Sequence, residues 1–146
     1  MRLPSRGAVL ALVLLLALGG KRLYLNLRPN APLPEGFVEY TAETWRGLEA
    51  AGGPLLVEVY ASWCPTCEVQ HRALDGMLRD PRYQAVTGVR VDFDRDADFL
   101  RAHRITRQST LLVFAGGMEV SRTVALTSAD AIGRQLDAAL SGASVP

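Results

Sequence analysis

Two cysteines stand three residues apart, Cys64 and Cys67, and the chain has no others. Thiols at this spacing lie one helical turn apart and can close a small disulfide ring. One then attacks a disulfide and the other resolves the mixed disulfide. Pro65 follows Cys64. Its missing N–H and fixed φ suit the first turn of a helix, which places Cys64 at a helix N-terminus. The unpaired N–H groups and the dipole at that end favour negative charge, and the thiolate is the reactive form of cysteine. Pro65 and Thr66 stiffen the ring, Trp63 is expected to pack beside the pair, and Cys67 is expected to be the more buried thiol. Six residues before Cys64, Glu58 interrupts an otherwise apolar run, Leu55–Tyr60. A carboxyl there is either costly to keep charged or lies on a locally exposed face, paired with a base such as Arg90. His71 completes a C-x2-C-x3-H pattern of soft and imidazole ligands. On a helix it is expected to face solvent, so no metal site is expected.

The elements that must hold these groups read as follows. Phe37–Tyr40 is a short strand, and Thr41 caps a helix running to about Ala51 with Trp45 and Leu48 buried. Gly52-Gly53-Pro54 ends that helix, and Leu55–Tyr60 follows as a strand buried on both faces. A helix from Pro65 is expected to reach about Arg79, with Val69, Ala73, Met77, Leu74 and Leu78 as its buried stripe, until Asp80-Pro81 stops it. Val89, Val91 and Phe93 alternate with Arg90, Asp92 and Asp94, as in a strand with one face inward. A short solvated helix follows, acids first (Asp94, Asp96, Asp98) and bases last (Arg101, His103, Arg104), with His103 at the surface. Thr110–Phe114 and Met118–Val124 form a hairpin about Gly116-Gly117. Thr127, with Asp130 three residues on, caps a last helix buried along Ile132, Leu136 and Leu140. This order predicts an α/β fold, a mixed central sheet with helices on both faces.

The N-terminus reads differently. Arg2 and Arg6 precede Ala8–Leu18, which has no polar residue, so residues 1–20 are expected to be an export signal or an uncleaved signal anchor. The apolar run is shorter than a spanning helix needs. Residues 21–36 hold Pro29, Pro32 and Pro34 and read as an extended linker. The domain is expected over residues 37–141, with 142–146 a loose tail. Export places the cysteines in an extracytoplasmic compartment, periplasmic or secreted, with a membrane tether if the segment is kept. The chain has 146 residues, enough beyond that segment for one domain and one core. Sixteen basic against fifteen acidic residues leave a net charge of +1, with no basic stripe, which argues against a nucleic-acid partner. Two cysteines so close together cannot staple a fold, which argues against a disulfide scaffold or a redox-inert domain with a structural bridge.

Trp63-Cys64-Pro65-Thr66-Cys67 after an apolar strand resembles the thioredoxin superfamily, in particular exported bacterial thioredoxin-like proteins, over roughly Phe37 to Leu140. The resemblance implies a three-layer α/β/α sandwich and a thiol–disulfide oxidoreductase with a redox-active Cys64–Cys67 disulfide and no cofactor. It implies that Glu58 is the general base for Cys67, acting through water. It also implies a disulfide-containing protein substrate, a membrane thiol-transfer protein as redox partner, and a monomer. Electron flow is expected to run toward reduction, with oxidase or isomerase activity, or a Cys-ligated metal carrier, as alternatives. One position departs from the family. Where thioredoxins place a cis-proline facing the cysteines, this chain has Ser109, in Gln108-Ser109-Thr110. A cis bond before a non-proline residue costs about 2.5–4 kcal/mol, so a trans Gln108–Ser109 bond is expected. This loop should still offer Gln108 backbone groups to an extended substrate. Its Ser109 hydroxyl is expected near Cys64, where it can stabilise the thiolate, and the proline ring that helps keep metals off the cysteines is absent.

Overall fold

The computed structural model of the chain describes residues 6–27 and 29–143. It divides into two units, residues 1–30 and 31–146. In the first, helix α1 runs Arg6–Leu27. The helix continues through Lys21–Leu27, where an extended linker was expected, because no proline stands between Arg6 and Pro29. Arg2, part of the proposed basic signal region, lies outside the described residues, as do residues 144–146 of the expected tail. No helix among the described residues is long and apolar enough to cross a membrane.

The second unit is built on five strands: β1 (Phe37–Glu39), β2 (Leu55–Tyr60), β3 (Thr87–Asp92), β4 (Thr110–Ala115) and β5 (Met118–Val124). Their spatial order is β1-β3-β2-β4-β5. β1 and β2 flank β3 in parallel, whereas β4 runs antiparallel to both β2 and β5. The helices are α2 (Ala42–Ala51), α3 (Pro65–Leu74), α4 (Ala97–Ala102) and α5 (Ala129–Ala143). This is the mixed sheet with helices on both faces that the element order predicts.

Alternation along β2 divides the core. Leu55, Val57 and Val59 pack with Trp45, Phe99, Val89, Val91 and Phe114 on the side of α2 and α4. Leu56 packs with Leu74, Tyr83, Leu111, Val113, Ile132 and Leu136 on the side of α3 and α5. Glu58 and Tyr60 follow Leu56 at the strand's period of two, so they project from the α3 side. Arg90 is in register with Glu58 and projects the same way. Both faces of β3 are therefore covered: Arg90 is fully buried and Asp92 nearly so, where a solvent-facing row was expected. Gly88 answers a steric need, since a Cβ there would lie 2.3 Å from the Phe37 ring.

Several local features differ from expectation for identifiable reasons. α3 ends at Leu74, five residues early, because Gly76 adopts φ +75° and redirects the chain into one 3-10 turn, Met77–Arg79. Its buried residues are Cys67, Gln70 and Leu74, while Val69 is 42% exposed. α5 starts at Ala129 rather than at a Thr127 cap, its first turn closing from the Ile132 N–H to the Ser128 carbonyl. It continues through Ala143, two residues into the expected tail. His103 is half-buried rather than at the surface, its ring 4.2 Å from that of Phe99 and 5.6 Å from that of Trp45.

Candidate active site

β2 delivers the chain into the site and α3 carries it out. After Tyr60, the Cys64 N–H bonds the Ala61 carbonyl at 3.0 Å and closes a turn. Cys64 is then the N-cap of α3, with extended φ and ψ, and Pro65 occupies the first turn. The Cys64 Sγ accepts the Cys67 N–H at 3.3 Å, taking one of the orphan donors of the helix start. Both sulfurs are free thiols in the structure. Cys67 is fully buried and Cys64 5% exposed. Trp63 packs against the pair and anchors its indole N–H on Asp94 Oδ2 at 2.7 Å. Asp94 therefore has a task beyond solvating a helix.

Ser109 faces both sulfurs. Its Oγ lies 3.0 Å from Cys67 Sγ and 3.5 Å from Cys64 Sγ, so it is nearer to the resolving thiol than to the thiol at the helix end. The Gln108–Ser109 bond is trans, since no cis bond occurs among the described residues. Ser109 instead turns the loop by adopting φ +55°, a left-handed conformation that costs a non-glycine residue about 1–2 kcal/mol. Three hydrogen bonds hold it there. Its N–H donates to Val59 O at 2.9 Å, and its carbonyl accepts the Ala125 N–H at 2.8 Å and Gln70 Nε2 at 3.3 Å. Gln70 is itself fully buried and also donates to Leu126 O at 2.7 Å. Thr110 begins β4, and its hydroxyl donates to Arg107 O at 2.6 Å, bracing the same loop. Gln108 and Ser109 line, with Cys64, Thr66 and Val124, a cleft of about 70 Å³. A shallower hollow of about 340 Å³ continues past Pro65, Thr66 and Val69.

These contacts split the two thiols. Burial acts to raise the Cys64 pKa. Hydrogen bonds from Ser109, from the Cys67 thiol and from the backbone N–H groups of Cys67 and Thr66 more than offset it, leaving Cys64 below the ordinary thiol value. Burial lifts Cys67 to about 11, with Ser109 pulling it down and the neighbouring Cys64 pushing it up. The pair thus holds one thiolate-prone sulfur beside one that keeps its proton.

Beneath the pair lies a buried charge cluster. Glu58 and Arg90 are both fully buried, with Arg90 Nε 3.3 Å from Glu58 Oε2. The anticipated pairing with Arg90 is present, but it lies in the interior and not on an exposed face. Arg90 also donates to the carbonyls of Ala31 and Pro32 at 2.5 and 3.1 Å, and its guanidinium lies 4.6 Å from the centre of the Tyr60 ring. Glu58 Oε1 is buried and accepts no hydrogen bond. His71, expected to face solvent, turns inward instead. Its Nδ1 lies 2.9 Å from Arg90 Nη2 and 3.6 Å from Glu58 Oε1, drawn by the charged pair. Arginine can only donate, so Nδ1 is the acceptor in its contact with Arg90. His71 therefore serves the carboxylate cluster, and no group of three His, Cys, Asp or Glu among the described residues is placed to hold a metal.

Gln70 is the residue that reading the sequence missed. A signal existed: Cys67 must be buried, and Gln70 and Leu74 follow it at i+3 and i+7 on one helical face.

The thioredoxin family model matches residues 37–138, most of the chain and all of this site. The chain belongs to the thioredoxin family. It is 35% identical over 85 residues to thioredoxin of Echinococcus granulosus, covering 56% of this chain and 78% of that protein. It is 28% identical to thioredoxin of Chlamydia trachomatis over 82 residues, with coverage of 56% and 78%. Among solved structures, Trxlp of Edwardsiella tarda superposes with a TM-score of 0.67 at 34% identity, covering 68% of this chain and 97% of that one. As in other thioredoxins, the activity of the chain is thiol–disulfide exchange, and disulfide-containing proteins are the substrates of the family. Cys64 and Cys67 both lie within the matched stretch, with the left-handed Ser109 packed across them.

Proposed function

We propose that this thioredoxin is an extracytoplasmic reductase of protein disulfides. The observation that carries the reading is the placement of the sulfurs: Cys64 caps α3 and accepts the Cys67 N–H, while Cys67 is fully buried behind it, an arrangement that lowers Cys64 and raises Cys67. The Cys64 thiolate attacks one sulfur of a substrate disulfide, forming a mixed disulfide and releasing the other substrate sulfur as a thiolate that takes up a proton. Cys67 then loses its proton and attacks Cys64 Sγ. The Cys64–Cys67 disulfide forms, the bond to substrate breaks, and two electrons have passed to the substrate. Glu58 is the proposed acceptor of the Cys67 proton, through water. Its buried Oε1, which accepts no hydrogen bond, supports that role.

The chain has no third cysteine to relay electrons, so the disulfide must be reduced again by another molecule, here a membrane thiol-transfer protein. Export rests on Arg2, Arg6 and the apolar Ala8–Leu18 segment, which either is cleaved or tethers the domain. Two measurements test the proposal. Redox titration of the purified protein should give a potential nearer the about −270 mV of a reductant than the about −120 mV of a strong oxidant. A value at the oxidising end overturns the direction of electron flow. A reporter that is active only outside the cytoplasm, fused after residue 36, should be active; an inactive reporter overturns the location.

A further inference from the structure

We propose that the Ser109 hydroxyl is a catalytic group of the second half-reaction, donating a hydrogen bond to the Cys67 sulfur as that sulfur becomes an anion and attacks Cys64. The inference rests on the exchange reaction proposed above and assigns Ser109 to one of its two steps.

A hydroxyl has one proton and can donate to one sulfur at a time. Both sulfurs lie in range of Ser109 Oγ, but the shorter contact, 3.0 against 3.5 Å, is to Cys67. The two sulfurs also differ in what else they have. The Cys64 anion sits at the helix start and takes the Cys67 N–H at 3.3 Å. Cys67 is fully buried, and its thiol points to the Val59 carbonyl at 3.9 Å, an acceptor that offers nothing to an anion. Ser109 is the largest influence that favours the Cys67 anion, ahead of the Ala61 N–H. Once Cys64 is tied up in the mixed disulfide it carries no charge, and the hydroxyl is released to serve Cys67. Ser109 keeps its proton throughout, while the Cys67 proton leaves for the acceptor assigned to Glu58. Cys67 Sγ bonds Cys64 Sγ, and the substrate sulfur departs with the electron pair of the broken bond.

The backbone shows that the hydroxyl is aimed. Ser109 is 2% exposed and adopts φ +55°, secured by Val59 O, Ala125 N–H and the buried Gln70 amide. Gln70 lies three residues after Cys67 on α3, so the helix that carries the resolving thiol also holds the loop that solvates it. Gln70 is thus a positioning residue for Ser109.

The test separates the two steps by acid-quenched mixing of excess reduced protein with a chromogenic aromatic disulfide, with the mixed disulfide resolved by mass. Ser109→Ala removes the hydroxyl. Ser109→Gly removes it and also relaxes the left-handed backbone, so a shared effect belongs to the hydroxyl and not to strain. Both variants should release product about tenfold more slowly at pH 7, accumulate the mixed disulfide, and need higher pH to recover, while attack changes by less than about threefold. Gln70→Ala should shift the release profile the same way by a smaller factor. Wild-type release in both serine variants overturns the inference, as does slowed attack with unchanged release, which would give the hydroxyl to Cys64. If the wild-type protein releases no chromophore from the disulfide, the exchange reading fails, and this inference fails with it. That outcome is distinct from a wild type that turns over beside serine variants that match it.

Discussion

The two faces of the central sheet are built on opposite principles. On the α2 and α4 side, Leu55, Val57, Val59, Val89 and Val91 meet Trp45, Phe99 and Phe114 in an apolar, aromatic layer. On the α3 side, the strand positions nearest the cysteines hold Glu58, Tyr60 and Arg90, a charged pair and a phenol at full or near-full burial. The first face contributes stability by removing apolar area from water and asks nothing else of its residues. The second face buries an ion pair, which rarely stabilises a fold more than apolar side chains of the same shape would. These charges sit directly before the Cys64 turn, on the face that α3 covers. The period of two along β2 thus keeps the charged pair on the face that also carries the Leu56 core, and out of the layer built on Val57 and Val59.

The sharpest way to break this contrast is to strike each face once with equal force. Arg90→Met leaves Glu58 buried without its cation and should destabilise the domain by about 3–5 kcal/mol in urea unfolding at pH 7. Replacing Glu58 by Leu in the same chain should recover most of that loss, because the uncompensated charge is gone. Trp45→Ala on the other face should cost a similar amount, about 3–5 kcal/mol, through lost burial and a cavity. The functional outcomes should differ. Trp45→Ala should leave the pH dependence of Cys64 alkylation and of product release unchanged below the unfolding transition. The Glu58/Arg90 double variant should fold and yet release product slowly. Equal redox behaviour in the two stable proteins would erase the division between the faces.

A smaller effect is expected at the sheet edge, where β1 meets β3. An alanine Cβ at position 88 would lie 2.3–2.5 Å from atoms of the Phe37 ring. Gly88→Ala should therefore displace that ring and cost about 1–3 kcal/mol by overpacking. Gly88→Ala combined with Phe37→Leu should cost less than the two changes summed, since the smaller side chain removes the clash. Strict additivity would show that the strand edge, and not the ring, resists the extra methyl.

The same division explains what could be read from the chain. The apolar face was legible because Val and Leu alternate at strand period and Trp45 falls on the inward side of α2. Cys64, Cys67 and Glu58 were legible because thiol spacing and a carboxyl inside an apolar run are local signals. The inward face of α3 was not. Val69, Ala73 and Met77 make as regular a helical stripe as Cys67, Gln70 and Leu74, and only the need to bury Cys67 decides between them. The early stop of α3 was signalled by Asp75-Gly76, a turn dipeptide. His71 and His103 were both assigned to solvent because a lone histidine on a short polar helix carries no local mark of its partners. Arg90 for one, and Trp45 and Phe114 for the other, come from distant parts of the chain, and only Phe99 lies one helical turn before His103. The left-handed Ser109 had no local signal either, since it is long-range hydrogen bonds and not the serine that select it.

His103 gives the finest test, because it is an ionisable ring, titrating near neutral pH, packed on the face described here as apolar. Its ring packs on Phe99 at 4.2 Å, Phe114 at 5.4 Å and Trp45 at 5.6 Å. Burial lowers its pKa from the usual value of about 6.5, Glu119 and Glu49 pull it up, and Arg122 pulls it down, with a net depression. The unfolded chain therefore takes up a proton at higher pH than the folded one. Stability from this group is fully present above about 6.5 and is lost as pH falls from there toward the lower folded value, below which the loss stops growing. His103→Phe keeps an aromatic ring against the same neighbours and cannot titrate. Urea midpoints of the wild type should fall between pH 7.5 and pH 5.5 by more than those of His103→Phe, and the difference between the two proteins isolates this ring from the carboxylates that titrate alongside it. If the two fall in parallel, His103 is neutral packing at every pH, and the contrast between an apolar face and a titrating one becomes complete.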